Sequence, residues 1–252
     1  MCDYHKNGYC LYKRFFNADD IRSVKSVLES FHSSWKQKNA EFYAEKAINS
    51  AYLTGTEYLD EQKRQILFEF LGASKLMGAV SLVMKQRPTF LNTLLFFNPV
   101  NEKQRNYWHR DTQYHLSLEE QKKALLGPEV IHFRVALVDE PGIELVPCSH
   151  KRWDTPEELD VRLETNNRKS YEALSSGKVI ELQAGDLLIF SANMIHRGLY
   201  GMDRFALDVL FCDPEPDLVK FISDECLPDK NIIPSLENAD AFQSAIELKS
   251  TT

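Results

Sequence analysis

The sequence lacks clustered basic charge, long apolar runs and any cysteine pairing pattern. Its 252 residues carry 30 Lys and Arg against 37 Asp and Glu, a formal charge of -7, and no run of basic residues exceeds two. Nucleic acid and anionic membrane surfaces select concentrated cations, so both are poor partners for this chain. No segment approaches the ~18 consecutive apolar residues of a membrane span, and the start, Met1-Cys2-Asp3-Tyr4-His5-Lys6-Asn7, has no apolar stretch of the kind that directs secretion. A cytoplasmic location is expected. Cys2, Cys10, Cys148, Cys212 and Cys226 are odd in number, scattered and without a C-x-x-C pair. All five therefore read as reduced thiols, neither a disulfide framework nor a zinc site.

What is present is an ordinary globular balance, with 43% hydrophobic and 27% charged residues. A single domain over 1–252 is expected, because chains rich in short strands often reach this length as one unit. Its first part, 1–88, reads as helical. After Asn17-Ala18-Asp19-Asp20, a plausible cap, Ile21, Val24, Val27, Leu28 and Phe31 recur at helical spacing within 18–52. Ile66, Leu67, Phe70, Leu71, Leu76, Val80 and Val83 form a second apolar stripe over 60–85, with one break expected at its glycines.

Beyond Pro88 the apolar runs become short, β-branched or aromatic, and are punctuated by turn residues. Strands are expected near 91–98, 106–113, 130–138, 143–147, 178–183, 186–191, 194–200 and 204–212, with a polar insert at 150–176 that carries a helix. Residues 89–213 would form the core and 214–252 an outer tail of helix and loop. The pattern predicts a mainly β fold with flanking helices, a sandwich or jelly roll with the N-terminal helices packed on one sheet.

The chemistry-bearing residues lie in this β region. His109 and Asp111 stand two positions apart in Tyr107-Trp108-His109-Arg110-Asp111, and on a strand they would face the same way. An imidazole beside a carboxylate supplies two ligands for a divalent ion, and a second imidazole would complete the 2-His-1-carboxylate facial triad of non-haem iron oxygenases, which leaves coordination positions open. H-x-D alone is a weak signal. Its context strengthens it, because Gly185-Asp186-Leu187-Leu188-Ile189-Phe190 leads through a short turn to His196, and Arg204 follows. In a hairpin turning through Tyr200-Gly201-Met202-Asp203, Arg204 would lie beside the strand of His196, its planar fork suited to a carboxylate. Arg197, next to the distal histidine, should face away from it.

Over roughly 90–213 the sequence resembles the phytanoyl-CoA dioxygenase family of iron(II)/2-oxoglutarate oxygenases. The resemblance rests on the H-x-D pair, on Gly142-Ile143-Glu144-Leu145-Val146-Pro147-Cys148-Ser149-His150-Lys151, on the G-D-L-L-I-F run with its distal histidine, and on the following arginine. It implies a cupin-like double-stranded β-helix. It also implies iron(II) held by His109, Asp111 and His196, with O2 and 2-oxoglutarate as co-substrates and Arg204 anchoring the distal carboxylate. The reaction implied is hydroxylation of a small molecule with release of succinate and CO2. Halogenating relatives have a small residue where Asp111 stands, so a carboxylate there favours hydroxylation.

Cys148 occupies the place where the family usually has glycine. Arg134 and Asn98 are further candidates for the co-substrate or substrate. Arg134 is an arginine on an otherwise apolar strand, costly unless it meets an anion, and it hints at a carboxylated substrate such as an amino acid. Asn98 would share a face with Leu94 and Phe96. His115 reads as facing substrate, and His132 and His150 as structural. Two alternatives stand beside this reading: an oxygenase using the triad without 2-oxoglutarate, and a non-enzymatic metal-binding sensor on the same fold.

Overall fold

A computed structural model describes residues 3–251. Nine strands are present among them: β1 (Tyr9–Tyr12), β2 (Asn49–Ala51), β3 (Thr89–Phe97), β4 (Val130–Ala136), β5 (Glu140–Leu145), β6 (Lys178–Leu182), β7 (Leu187–Ser191), β8 (His196–Gly198) and β9 (Phe205–Cys212). They form two antiparallel sheets, a larger one in the order β1-β7-β4-β9-β3-β2 and a smaller one in the order β6-β5-β8. This is the double-stranded β-helix.

Alternation along the central strands decides which side chains meet the helices and which line the interior. Ile131, Phe133 and Val135 of β4, Leu187 and Ile189 of β7, and Leu207, Val209 and Phe211 of β9 share one buried cluster with the helices. Helix Ala18–Lys38 carries Val24, Leu28 and Phe31 into that cluster, and its start is closed by a capping box between Asn17 and Asp20. The opposite residues of the same strands, His132, Arg134, Phe190 and Asp208, line a cavity inside the barrel. A period of two thus separates a dry outer seam from a polar inner face.

Several boundaries differ from expectation. The first helix stops at Lys38, and a short helix, Ala40–Glu45, precedes strand β2. The N-terminal part therefore contributes two edge strands, β1 and β2, to the large sheet. The second helical segment does divide, into Glu61–Leu71 and Ser74–Val83. No single helix among the described residues is long and apolar enough to cross a membrane. The polar insert carries helix Pro156–Leu163, and the tail ends in helix Asp240–Thr251, whose Phe242 packs 4.9 Å from Phe90. The uniform reading of the cysteines as thiols does not hold: Cys10 is disulfide-bonded, whereas Cys148, Cys212 and Cys226 are free. Odd count and wide spacing were insufficient to exclude one bond. Cys2 lies outside the described residues.

Candidate metal centre

The strand expected over 106–113 is not formed. His109 exchanges a pair of backbone hydrogen bonds with His196, both 2.9 Å, and the Asp111 N–H donates to the Ala192 carbonyl at 3.1 Å. At Asp111 the chain then turns into a single 3-10 turn, Asp111–Tyr114. The intervening Arg110 is extended (φ -112°, ψ 142°), so alternation survives for the three residues that matter. His109 and Asp111 point the same way although no strand contains them.

This arrangement gathers His109, Asp111 and His196. One ligand atom from each lies within 4.8 Å of the others; Asp111 Oδ1 is 3.5 Å from His109 Nε2 and 3.6 Å from His196 Nε2. Small rotations would set all three on one ion with bonds near 2 Å. Both imidazoles are oriented from behind. Nδ1 of His109 is 3.1 Å from the Tyr107 carbonyl, and Nδ1 of His196 is 3.0 Å from the Met194 carbonyl. Each ring thus has its proton engaged at Nδ1 and its Nε2 lone pair free for a metal. Burial and the neighbouring His109 push His196 down to about 3, which keeps it neutral. Burial opposes the ionised form of Asp111, but the His132 cation bonded to it holds its carboxyl well below the usual range. The donor set therefore suits a divalent cation.

Arg204 lies just before β9, lines the same cavity and is 3% exposed. Its surroundings leave it short of anions: Nη1 donates to the Phe97 carbonyl at 3.4 Å, Nε has no hydrogen-bond partner, and the nearest carboxylate oxygen, on Glu140, is 3.8 Å away. Burial, with Arg134 nearby, pushes its guanidinium down to about 10. The expected hairpin is absent, because β8 belongs to the small sheet and β9 to the large one. Arg204 meets the strand of His196 across the barrel instead, over Gly198. Arg197 turns away, bound to Glu144 at 2.8 and 2.6 Å and stacked on Trp108.

Two sequence-based candidates are placed differently. Arg134 lines the cavity, but its charge is already matched: it donates to Glu140 at 3.0 and 3.2 Å and to Asp208 at 2.9 Å. The anion it required is internal. Asn98 lies past the end of β3 and is occupied by the turn at Gly201 and Met202, where it donates at 2.6 Å to the Met202 carbonyl and accepts from the Gly201 N–H at 3.0 Å. It is not among the cavity's lining residues; Asn92, Leu94 and Phe96 of β3 are. His115 sits at the cavity mouth against Phe221, outside the metal-ligand group.

Sequence reasoning missed two supports. Arg110, fully buried between the two proximal ligand candidates, grips Asp154 at 2.9 and 2.7 Å and donates to the carbonyls of Ser149 and Asn193. It ties the His109–Asp111 segment to the Cys148-Ser149-His150 turn and to the loop before His196. The signal was available: alternation sends the middle residue of H-x-D into the protein, where an arginine needs a carboxylate. His132, read as structural, reaches Asp111 itself, with Nε2 2.7 Å from Oδ2 and Nδ1 3.1 Å from Asp208 Oδ2. Burial disfavours its charged form, yet the two carboxylates raise it to about 9. Nothing local in sequence announces that contact.

A double-stranded β-helix with two imidazoles and a carboxylate converging on its interior is the architecture of a mononuclear non-haem metal oxygenase. The sequence model of the phytanoyl-CoA dioxygenase family matches residues 4–199, and the chain belongs to that family, whose members use iron(II), 2-oxoglutarate and O2. No curated protein gives a significant sequence match. Among solved structures, EctD from S. alaskensis, crystallised with 2-oxoglutarate and 5-hydroxyectoine, is similar at 13% identity and a TM-score of 0.60, covering 83% of this chain and 73% of that one. HygX from Streptomyces hygroscopicus, with nickel and 2-oxoglutarate, is similar at 15% identity and 0.57, covering 83% and 84%. The epimerase SnoN, in complex with Fe3+, alpha ketoglutarate and nogalamycin RO, is similar at 14% identity and 0.52, covering 84% and 81%. At such identities these likenesses show the shared fold.

Proposed function

We propose that this protein is an iron(II)- and 2-oxoglutarate-dependent dioxygenase that hydroxylates a bulky small molecule, releasing succinate and CO2. His109, Asp111 and His196 would hold the iron, and Arg204 would grip the far carboxylate of 2-oxoglutarate. The observation that carries the reading is Arg204: a buried guanidinium without a hydrogen-bonded carboxylate, opening into the cavity that contains the triad. A buried cation is costly until an anion meets it, and a dicarboxylic co-substrate supplies one. When bound, the metal supplies activation of O2 and the co-substrate supplies the electrons. The protein's residues orient both and exclude water.

The cavity also bears on the substrate. Its volume is about 1290 Å³, above the ~300–1,000 Å³ usual for small-molecule sites, so it has room for more than the co-substrate. Since Arg134 is neutralised by Glu140 and Asp208, the earlier hint of a carboxylated substrate loses its support. Aromatic rings of Tyr52, Phe96, Tyr107, Tyr114 and Phe221 line the space, together with Asn193 and Thr112. These rings favour a molecule with an apolar body.

Anaerobic addition of iron(II) and 2-oxoglutarate tests the reading. The wild type should develop the weak visible absorption of a metal-chelated 2-oxo acid, and Arg204→Ala should lose it at the same concentrations. Absence of the band in the wild type would leave the sensor alternative, whereas O2 uptake without succinate release would favour the oxygenase that dispenses with 2-oxoglutarate. SnoN is an epimerase, so product analysis by mass is needed to separate a gain of oxygen from an isomerised product.

A further inference from the structure

The two oxygens of Asp111 have different neighbours. Oδ1 faces the Nε2 atoms of His109 and His196 at 3.5 and 3.6 Å, whereas Oδ2 lies 2.7 Å from His132 Nε2. Behind His132 stands a buried chain of partners. Its Nδ1 is 3.1 Å from Asp208 Oδ2, Asp208 Oδ1 accepts from Arg134 Nη1 at 2.9 Å, and Arg134 donates through Nε and Nη2 to Glu140 at 3.0 and 3.2 Å. The side chains of His132, Arg134, Glu140 and Asp208 are at most 5% exposed.

The backbone explains why this chain of contacts is rigid. Arg134 and Asp208 are register partners on β4 and β9 in the centre of the large sheet. Phe190 of β7 is the register partner of His132 and stacks on its ring, with centroids 4.5 Å apart and planes 14° from parallel. Asp111, in contrast, begins a 3-10 turn and belongs to no sheet. A carboxylate on a turn can rotate and offer a cation either one oxygen or both. A fixed donor on one oxygen removes that freedom, and such supports of metal ligands commonly tune affinity.

We propose that His132, held in place by Asp208, is a positioning residue that occupies Asp111 Oδ2 and so presents Oδ1 alone to the metal. This rests on the reading of Asp111 as a ligand. One-oxygen ligation would leave enough open positions on the ion for both the chelating co-substrate and O2. The buried ion pairs on β4 and β9 then serve as the anchor of a metal-ligand support, in addition to neutralising one another.

The test uses the full-length protein and cobalt(II) alone as probe, read by calorimetry and by visible ligand-field absorption, with metal-free thermal unfolding as the control for folding. His132→Leu should weaken cobalt binding by about 10–100-fold, the range typical for lost support of a ligand, and should change the ligand-field bands. His132→Gln, whose amide nitrogen reaches about as far as Nε2, should bind within about threefold of wild type, and Asp208→Asn should fall between them. A folded His132→Leu variant with wild-type affinity and spectrum would overturn the proposal. Should His132→Leu not fold, wild-type affinity and spectrum in Asp208→Asn would overturn it instead, and loss there with retention in His132→Gln would support it. Failure of the wild type to bind cobalt would overturn the triad reading and this inference with it, an outcome distinct from loss of His132 dependence alone.

Discussion

The guanidinium of Arg204 occupies the space that a side chain on residue 198 would fill: a Cβ built on Gly198 would lie 2.5 Å from Arg204 Nη2. The absence of a side chain on β8 is therefore what lets an arginine from the opposite sheet reach the cavity. Gly198→Val should push the guanidinium aside, raising KM for 2-oxoglutarate by about tenfold or more, since a charge-assisted hydrogen bond is worth about 1.5–3 kcal/mol. Cobalt binding in the absence of 2-oxoglutarate should stay near wild type. Equal loss of both would show that the residue supports the fold in general.

Arg110 and Arg162 share the Asp154 carboxylate, and all three side chains are fully buried. Removing Arg110 leaves Asp154 paired with Arg162 but strips the carbonyls of Ser149, Arg152 and Asn193 of a buried donor, at a cost of about 1–3 kcal/mol for each group left unsatisfied. Arg110→Leu should lower Tm by on the order of 10 °C, given ~2–4 °C per kcal/mol for a chain of this size. Arg110→Lys should recover only part of this loss, because a single ammonium cannot reproduce the fork that reaches Asp154 and the carbonyls of Ser149 and Asn193. Differential scanning calorimetry would check both variants.

Two histidines away from the centre set an acid limit on stability. Burial, with Lys36 nearby, pushes His32 down to about 4, and burial with Lys151 nearby does the same to His150. Both are lowered from an unfolded value of 6.5, so the unfolded chain binds more protons as pH falls below that value. Their contribution is thus fully present above pH 6.5, is lost progressively between 6.5 and about 4, and changes no further below. Urea midpoints should fall across that window. His32→Phe should flatten part of the slope, since the ring lies among Trp35, Tyr43, Phe97 and Phe205; an unchanged slope would count against this account.

Cys148 has φ 64°, the left-handed region that glycine enters without the cost of a Cβ. That cost is about 1–2 kcal/mol, and glycine returns about 0.4–1 kcal/mol of it through a freer unfolded chain. Cys148→Gly should therefore stabilise the protein by about 0.5–1 kcal/mol, visible as a rise of about 2–3 °C in Tm. No rise, or a fall, would mean that the thiol makes compensating contacts.

Much of this architecture was legible in the residues. Helical spacing of Ile21, Val24, Leu28 and Phe31 predicts the long helix, and short apolar runs between turn residues predict the strands over 130–136 and 205–212. The outward direction of Arg197 was also readable, because it depends on a few neighbouring residues. The partners of inner-face charges were not. Arg134 on its apolar strand demanded an anion, but whether that anion was a ligand or Glu140 and Asp208 depended on which strands lie side by side. Asn98 was similarly claimed by a turn more than a hundred residues away.

The chain by itself therefore determined the long helix, the central strands and the residue types available for chemistry, because hydrophobic periodicity and backbone preference act over a few residues. Only the tertiary structure decided that His109 and Asp111 meet His196 without a strand between them, that Arg204 crosses from the other sheet, and that His132 stands behind Asp111. Those are pairings across sheet registers and loops. Their energies depend on distance in space, to which separation along the chain is no guide.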